Sequence, residues 1–275
     1  MSTRKAFVAG QFYPADPARL ASVVSEYLRG EATSEEIGSR AQRALAIMAP
    51  HAGYIYSGAV AGTAYSAAKV PDTLVLIGPN HTGLGDPAAL PSAEAWQSPL
   101  GDIDIDQPLT NLIEASHRLF TFDDMAHKSE HSLEVQLPFI QFINPKASIV
   151  PITVNTCDID ECQELGTGLA SAIKTFGKDV LIVVSSDMNH YESDRVTREK
   201  DQMAIAQCLR LDSRALLEVC RARAVTMCGA VPMAIGMIAA KELGAESSIL
   251  TGYATSGEVS QDTEQVVGYA GVMIR

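Results

Sequence analysis

Six short apolar runs punctuate the chain, at residues 44–48, 73–77, 147–154, 180–184, 249–254 and 266–274. Their length, their β-branched content and the Gly, Pro, Asn and Ser residues around them predict strands. The runs read on without strict alternation, so the sheet they build is covered on both faces. Between them, apolar residues at helical spacing predict helices over 17–28, 58–68, 161–175, 195–209, 213–221 and 231–243, with Asp16 and Asp212 as N-caps. Pro151 inside the third run points to an edge strand or a bulge. The Pro-, Gly- and Asp-rich stretch 83–106 suits a small antiparallel hairpin lying over the sheet, and the polar stretch 30–43 a short helix or a surface excursion. The alternation of strands and helices, with no repeat and no linker, implies a single α/β domain over residues 1–275. We expect a three-layer α/β/α sandwich around a mostly parallel or mixed central sheet.

Composition narrows the function classes. Apolar residues make up 47% of 275 positions and charged residues 20%, an ordinary globular balance with enough chain for a sizeable core. The net charge of −12, with no basic run, argues against nucleic-acid binding and against a polybasic membrane contact. No apolar run approaches the roughly 20 residues of a membrane span. The segment from Met1 to Pro14 reads as structured chain rather than a signal peptide. Five cysteines, an odd number with no CxxC pair, suit free thiols in a reducing cytoplasm.

The chemistry collects where strands end. Residues 44–48 are followed by Ala49-Pro50-His51-Ala52-Gly53-Tyr54, residues 73–77 by Gly78-Pro79-Asn80-His81, and residues 180–184 by Ser185-Ser186-Asp187-Met188-Asn189-His190-Tyr191. In open α/β sheets the crevice beyond the strand carboxyl ends is where ligands bind. If these three strands are parallel neighbours, their loops share one rim and the imidazoles converge. Three imidazoles with a carboxylate can hold a divalent transition metal. Asp187 can equally fix a histidine tautomer by accepting from its other ring nitrogen, or can hold His190 as a general base.

Two further features need weighing. Cys228 precedes an apolar helix, where the helix end favours a nucleophilic or metal-binding thiolate, although a cysteine there can also be a small buried filler. His127-Lys128-Ser129-Glu130-His131 spells the inverted zinc-protease motif, which requires a helix through both histidines. Pro138 and Asp123-Asp124 speak against that helix, so zinc hydrolysis is the least favoured reading. Glu130, His131 and Glu134 are expected instead to line or buttress the cleft, and His117 to be a surface residue.

Taken together, Ala9-Gly-Gln-Phe-Tyr-Pro14, residues 49–58, residues 77–83, Glu130-His-Ser-Leu-Glu-Val-Gln-Leu-Pro-Phe139, residues 185–191 and Met227-Cys-Gly229 resemble the Memo family, whose prokaryotic members are also called AmmeMemoRadiSam system protein B. That family is similar in fold to the LigB-type class III extradiol dioxygenases, which hold non-haem iron with two histidines and a carboxylate. The resemblance implies that His51 and His81 are metal ligands, that His190 takes the place of the acid–base histidine with Asp187 beside it, and that Cys228 stands where the dioxygenases have their carboxylate ligand. Tyr54, Asn80 and Tyr191 fall in the matching motifs and are expected at the cleft. A thiolate in place of a carboxylate shifts preference toward copper, zinc or a redox role and alters the oxygen-activating triad. The resemblance therefore implies iron or copper, with zinc as an alternative, and redox chemistry or a pathway shared with AMMECR-type and radical-SAM proteins. A non-catalytic module binding a peptide or small molecule in the same cleft is the rival expectation.

Overall fold

The computed structural model describes residues 2–30, 41–155 and 157–275, so most of the 30–43 stretch lies outside the described residues. Four parallel strands form the centre, in the order β2 (Ala46–Ala49), β9 (Val180–Ser185), β3 (Thr73–Pro79) and β8 (Ser148–Val154). Beyond β2 runs β12 (Val266–Ile274), antiparallel to it and itself paired with β11 (Ser248–Thr255) and β10 (His190–Glu192). Beyond β8 come antiparallel β4 (Ala88–Leu90) and then β7 (Phe120–Phe122), parallel to β4. The expected mixed sheet between helical layers is present.

The strand pattern explains the layering. Along the central strands, Ile47, Leu74, Leu76, Ile149, Leu181 and Val183 bury one face and Met48, Val75, Ile77, Val150, Ile152, Ile182 and Val184 the other. The first face packs on α1 (Pro17–Arg29), α2 (Tyr54–Ala67) and α4 (Leu137–Ile143). The second packs on α3 (Gln107–Ser116), α5 (Ile159–Phe176), α6 (Asp194–Leu209), α7 (Ser213–Arg223) and α8 (Ala230–Glu242). Helix α8 has ten buried residues, Ala230, Pro232 and Met233 through Ala240, and so reads as apolar on all sides, as a helix enclosed by α5, α7 and the sheet must. Asp16 and Asp212 cap their helices as expected, accepting from the Arg19 and Ala215 amides. Among the described residues, no helix is long and apolar enough to cross a membrane.

Three expectations change. The hairpin is Ala95–Ser98 (β5) with Gly101–Asp104 (β6), but β1 (Thr3–Arg4) joins it in parallel to make a separate three-stranded sheet. Pro151 lies in an interior strand rather than at an edge or bulge. It is tolerated because β4 pairs β8 only at Thr153 and Val154, leaving the ladder beside Pro151 open on that side. Helix α2 starts at Tyr54 rather than at 58, because the Tyr54 amide donates to the Phe12 carbonyl at 2.8 Å and so begins the helix directly behind Gly53.

Candidate metal centre

Strands β2, β9 and β3 are parallel neighbours, so their carboxyl ends share one rim, and the three loops that follow them converge there. A fourth segment, residues 226–229, reaches the rim from the start of α8. Its approach depends on Gly229: a β-carbon there would sit 2.4 Å from Ser186 Cβ. Gly78 plays the same part under the 130–134 segment, where a β-carbon would lie 2.7 Å from Leu133 Cδ2.

His51, His81 and Cys228 come together with one potential ligand atom each, all within 4.8 Å of one another. His51 Nε2 lies 3.3 Å from Cys228 Sγ, and the His51 and His81 rings meet edge to face at 5.2 Å. His51 is buried and His81 lies at the open side. Burial, helped by the fields of His81 and His131, holds the His51 imidazole well below its ordinary range, so it is neutral and a lone pair is available.

His81 is gripped by Glu130. Its backbone amide donates to one carboxylate oxygen at 2.6 Å, and its Nδ1 lies 2.9 Å from the other. Nδ1 therefore carries the hydrogen and Nε2 is the atom presented to the cluster. Burial alone would raise the Glu130 carboxyl, but His81 and the Ser132 amide outweigh it and hold it at about 2. Burial likewise pulls His81 down, and the hydrogen bond and charge of Glu130 more than reverse this, leaving it above its ordinary value. His131 stacks on His81 at 4.7 Å, meets His51 at 5.5 Å, and is lowered chiefly by burial, against the pull of Glu130.

A second trio, His81, Glu130 and His131, has similar spacing. It suits an ion less well, because Glu130 already accepts from the His81, His131 and Ser132 amides and from His81 Nδ1. The His51/His81/Cys228 set carries no such filled carboxylate: Cys228 Sγ accepts from the Asp187 amide, a bond that a metal-bound thiolate keeps. Two imidazoles and a thiol are the ligands that iron, copper and zinc take, and three protein ligands leave a position open.

Asp187 does not hold a histidine ring. Its Oδ1 accepts from the His51 and Ala52 amides at 2.8 and 3.3 Å, and its carboxylate stays 4.0 Å from His51 Nε2. Its own amide donates to Cys228 Sγ at 3.3 Å. Burial raises the Asp187 carboxyl, only partly countered by those amides and by the nearby His190. His190 is held by Thr226 instead: its amide donates to Thr226 Oγ1 and its Nδ1 lies 3.0 Å from the Thr226 carbonyl. The Nδ1 hydrogen goes to that carbonyl, leaving Nε2 as a base. Cys228 also departs from the helix-end argument. Burial, reinforced by Asp187, pushes its thiol up, not down. Metal binding, which displaces the thiol proton, is what would give a thiolate here.

The remaining candidates divide. Tyr191 stands at the rim, exposed, with a left-handed φ of 59° and its ring 5.6 Å from His190. Asn80 shapes the His81 loop rather than facing the cluster: its Oδ1 accepts from the Thr82 and Gly83 amides, each at 3.0 Å. Tyr54 is core, its hydroxyl donating to the Val135 carbonyl at 2.7 Å. Glu134 turns away to bind Arg4 at 2.7 Å, together with the Phe7 and Val8 amides and the Tyr13 hydroxyl. His127 is also buried away from the cluster, its Nε2 on the Ala89 carbonyl at 3.0 Å and its Nδ1 on Thr153 Oγ1 at 2.9 Å. Residues 127–131 are turn and coil, so the helix that an inverted zinc-protease motif requires is absent. His117 is half-buried against Glu164 rather than free on the surface. Sequence reasoning missed Asn189, whose Oδ1 accepts from the Thr226 amide at 3.0 Å and ties the two loops, and the buried pair Ser185 and Gln136 behind His51. Gln136, a polar side chain between Val135 and Leu137, was the one available signal; Asn189 stands among polar neighbours and gave none.

A three-layer α/β protein with two histidines and a cysteine gathered on its strand-end rim is the class that fold and site define. The sequence model described as Memo-like protein matches residues 4–273, and the chain belongs to the Memo family. MEMO1 family proteins from Pyrobaculum arsenaticum and Aquifex aeolicus are each 39% identical to it, over 278 and 274 residues, covering 99% of both chains in each comparison. The crystal structure of uncharacterized protein JW3007 from Escherichia coli K12 is similar in fold, with a TM-score of 0.55 at 12% identity, covering 85% of this chain and all of that one.

Proposed function

We propose that the rim binds a single iron or copper ion through His51, His81 and Cys228 and serves redox chemistry on a small ligand. The observation that carries this reading is the convergence of those three donors, with His51 Nε2 and Cys228 Sγ 3.3 Å apart. A redox metal bound there would exchange single electrons with a ligand at its open positions. The chain's own residues do the rest. Asp187, its carboxyl raised by burial and its amide on Cys228 Sγ, and His190, whose Nδ1 is held by the Thr226 carbonyl so that Nε2 is free, are the groups that would handle protons or orient the ligand. A pathway shared with AMMECR-type and radical-SAM proteins belongs to the proposal on the strength of the family resemblance alone.

The second reading, a module that recognises a peptide or small molecule without catalysis, draws on exposed apolar groups in the rim loops and the helix start beside them: Ile55 is 66% exposed and Tyr191 72%. Elemental analysis of anaerobically purified protein separates the two. We expect stoichiometric iron or copper in the wild type and loss of it in both His51→Ala and Cys228→Ser. Metal-free wild type after anaerobic reconstitution with either ion would overturn the first reading and leave the second.

A further inference from the structure

Of the histidines around the rim, His51 is the one whose far ring nitrogen meets neither a carboxylate nor a carbonyl. His51 Nδ1 lies 2.9 Å from Ser185 Oγ, a group that can donate or accept, so this contact alone does not say which nitrogen carries the hydrogen. The surroundings of Ser185 do. Its hydroxyl lies 2.7 Å from the Ser132 carbonyl, which can only accept, so the single hydroxyl hydrogen goes there. Gln136 Nε2 lies 2.8 Å from the same Oγ and 3.1 Å from the Pro50 carbonyl. The Pro50 carbonyl is again only an acceptor, which sets the amide with its nitrogen toward Pro50 and Ser185. The amide oxygen is then left to accept from the Tyr65 hydroxyl at 3.0 Å. Every hydrogen in this buried chain is thereby assigned. Ser185 Oγ gives one hydrogen and receives one from Gln136, and its remaining lone pair faces His51 Nδ1.

We infer that Ser185, its hydrogen held by the Ser132 carbonyl and its other lone pair filled by Gln136, is a positioning residue that locks His51 as the Nδ1–H tautomer. Nε2 is then unprotonated where it faces Cys228 Sγ. Tyr65 on α2, Gln136 in the single helical turn before α4 and Ser185 at the end of β9 are each at most 1% exposed, so water does not compete for these bonds. The chain gives His51 what Glu130 gives His81 and the Thr226 carbonyl gives His190. All three imidazoles then present Nε2. The consequence for metal binding rests on the reading above; the tautomer itself does not.

The test uses metal-free full-length protein with 15N-labelled histidine and long-range 1H–15N correlation spectra, which report the protonated ring nitrogen directly. The expected result is Nδ1–H for His51 in the wild type. In Ser185→Ala the His51 signals move toward Nε2–H, whereas in Gln136→Leu, where Ser185 still gives its hydrogen to the Ser132 carbonyl, they stay at Nδ1–H; those of His81 and His190, held by other partners, keep their pattern and show that the rim is intact. Titration with Co(II), followed by its thiolate charge-transfer band, should be 10–100-fold weaker in Ser185→Ala than in the wild type. An Nε2–H His51 in the wild type overturns the inference even if neither variant folds. So does an unchanged His51 pattern in Ser185→Ala. If Co(II) fails to bind the wild type while His51 is Nδ1–H, the metal reading fails and the tautomer lock stands.

Discussion

Four of the five ionisable side chains in residues 127–134 serve two unlike uses. Glu130 and His131 face the rim, one holding His81 and the other stacked on it. His127 and Glu134, three residues to either side, face away into buried structure. The two glutamates are alike in burial and in being filled with hydrogen-bond donors: Glu130 by three amides and His81, Glu134 by two amides, a tyrosine hydroxyl and Arg4. What separates them is position. Ser132 Oγ donates to the Pro79 carbonyl at the end of β3, which places Glu130 over the strand ends. Glu134 enters the short helical turn that follows and meets the N-terminal segment instead. A filled carboxylate is thus a clamp in both places, and its function follows from what it clamps.

The largest effect expected from this contrast is at Glu134. Removing its carboxylate leaves Arg4, only 8% exposed, as an uncompensated buried charge. Glu134→Ala should cost about 3–5 kcal/mol of stability, the usual scale for breaking one side of a buried ion pair. Urea unfolding, read as a fall in midpoint at unchanged slope, measures it. A loss under about 1 kcal/mol would mean that the N-terminal segment does not depend on this clamp.

His127 sharpens the same contrast through pH. Burial, with the Arg4 charge second, holds its imidazole down to about 4 from 6.5. The neutral ring is satisfied on both sides, donating from Nε2 to Ala89 and accepting at Nδ1 from Thr153. The unfolded chain therefore takes up this proton first as pH falls. The stabilisation is full above pH 6.5 and is lost as pH drops toward 4, by roughly 3 kcal/mol. Glu130 adds its own acid sensitivity lower down, between its ordinary range and about 2. Unfolding free energies at pH 7, 5.5 and 4 should fall less steeply in His127→Gln than in the wild type. Equal slopes would assign the acid sensitivity elsewhere.

This divided segment also marks where sequence reading stops. The layered fold was legible, since long apolar runs with both faces buried leave few other arrangements, and β12 begins and ends where its run does. The strands β4, β7 and β10 span three residues each, too short for periodicity to register. Helix α4 was hidden by Pro138, which reads as a breaker yet sits in the first turn, where a missing amide costs nothing. At the site, His51 and His81 followed from strand-end topology. The tautomer role considered for Asp187 did not hold, because backbone amides had already taken its carboxylate. The thiol at Cys228 is pushed up rather than down because burial, with Asp187 beside it, outweighs the hydrogen bonds that favour a thiolate. Nothing local distinguishes Glu130 from Glu134. Their difference lies in contacts with residues 79–81 and 4–13, far away in sequence.

The finest test of the comparison is therefore to treat both glutamates alike and read metal affinity. Glu130→Gln keeps the shape but replaces one acceptor oxygen by a donor, set against amides and an imidazole that all donate. Co(II) affinity should fall 10–100-fold, about 1.4–2.7 kcal/mol, because His81 loses the partner that orients its ring. The accompanying stability loss should be of order 1–3 kcal/mol, that of unsatisfied buried donors. Glu134→Gln, measured beside it, should also be destabilised, yet stay within about two-fold of wild-type Co(II) affinity, since its partners reach the rim only through the Arg4 bond to the Glu130 main-chain carbonyl and leave the carboxylate that holds His81 in place. Equal loss of affinity in both variants would mean that the metal site responds to general loosening of the segment, and the division between its two halves would fail.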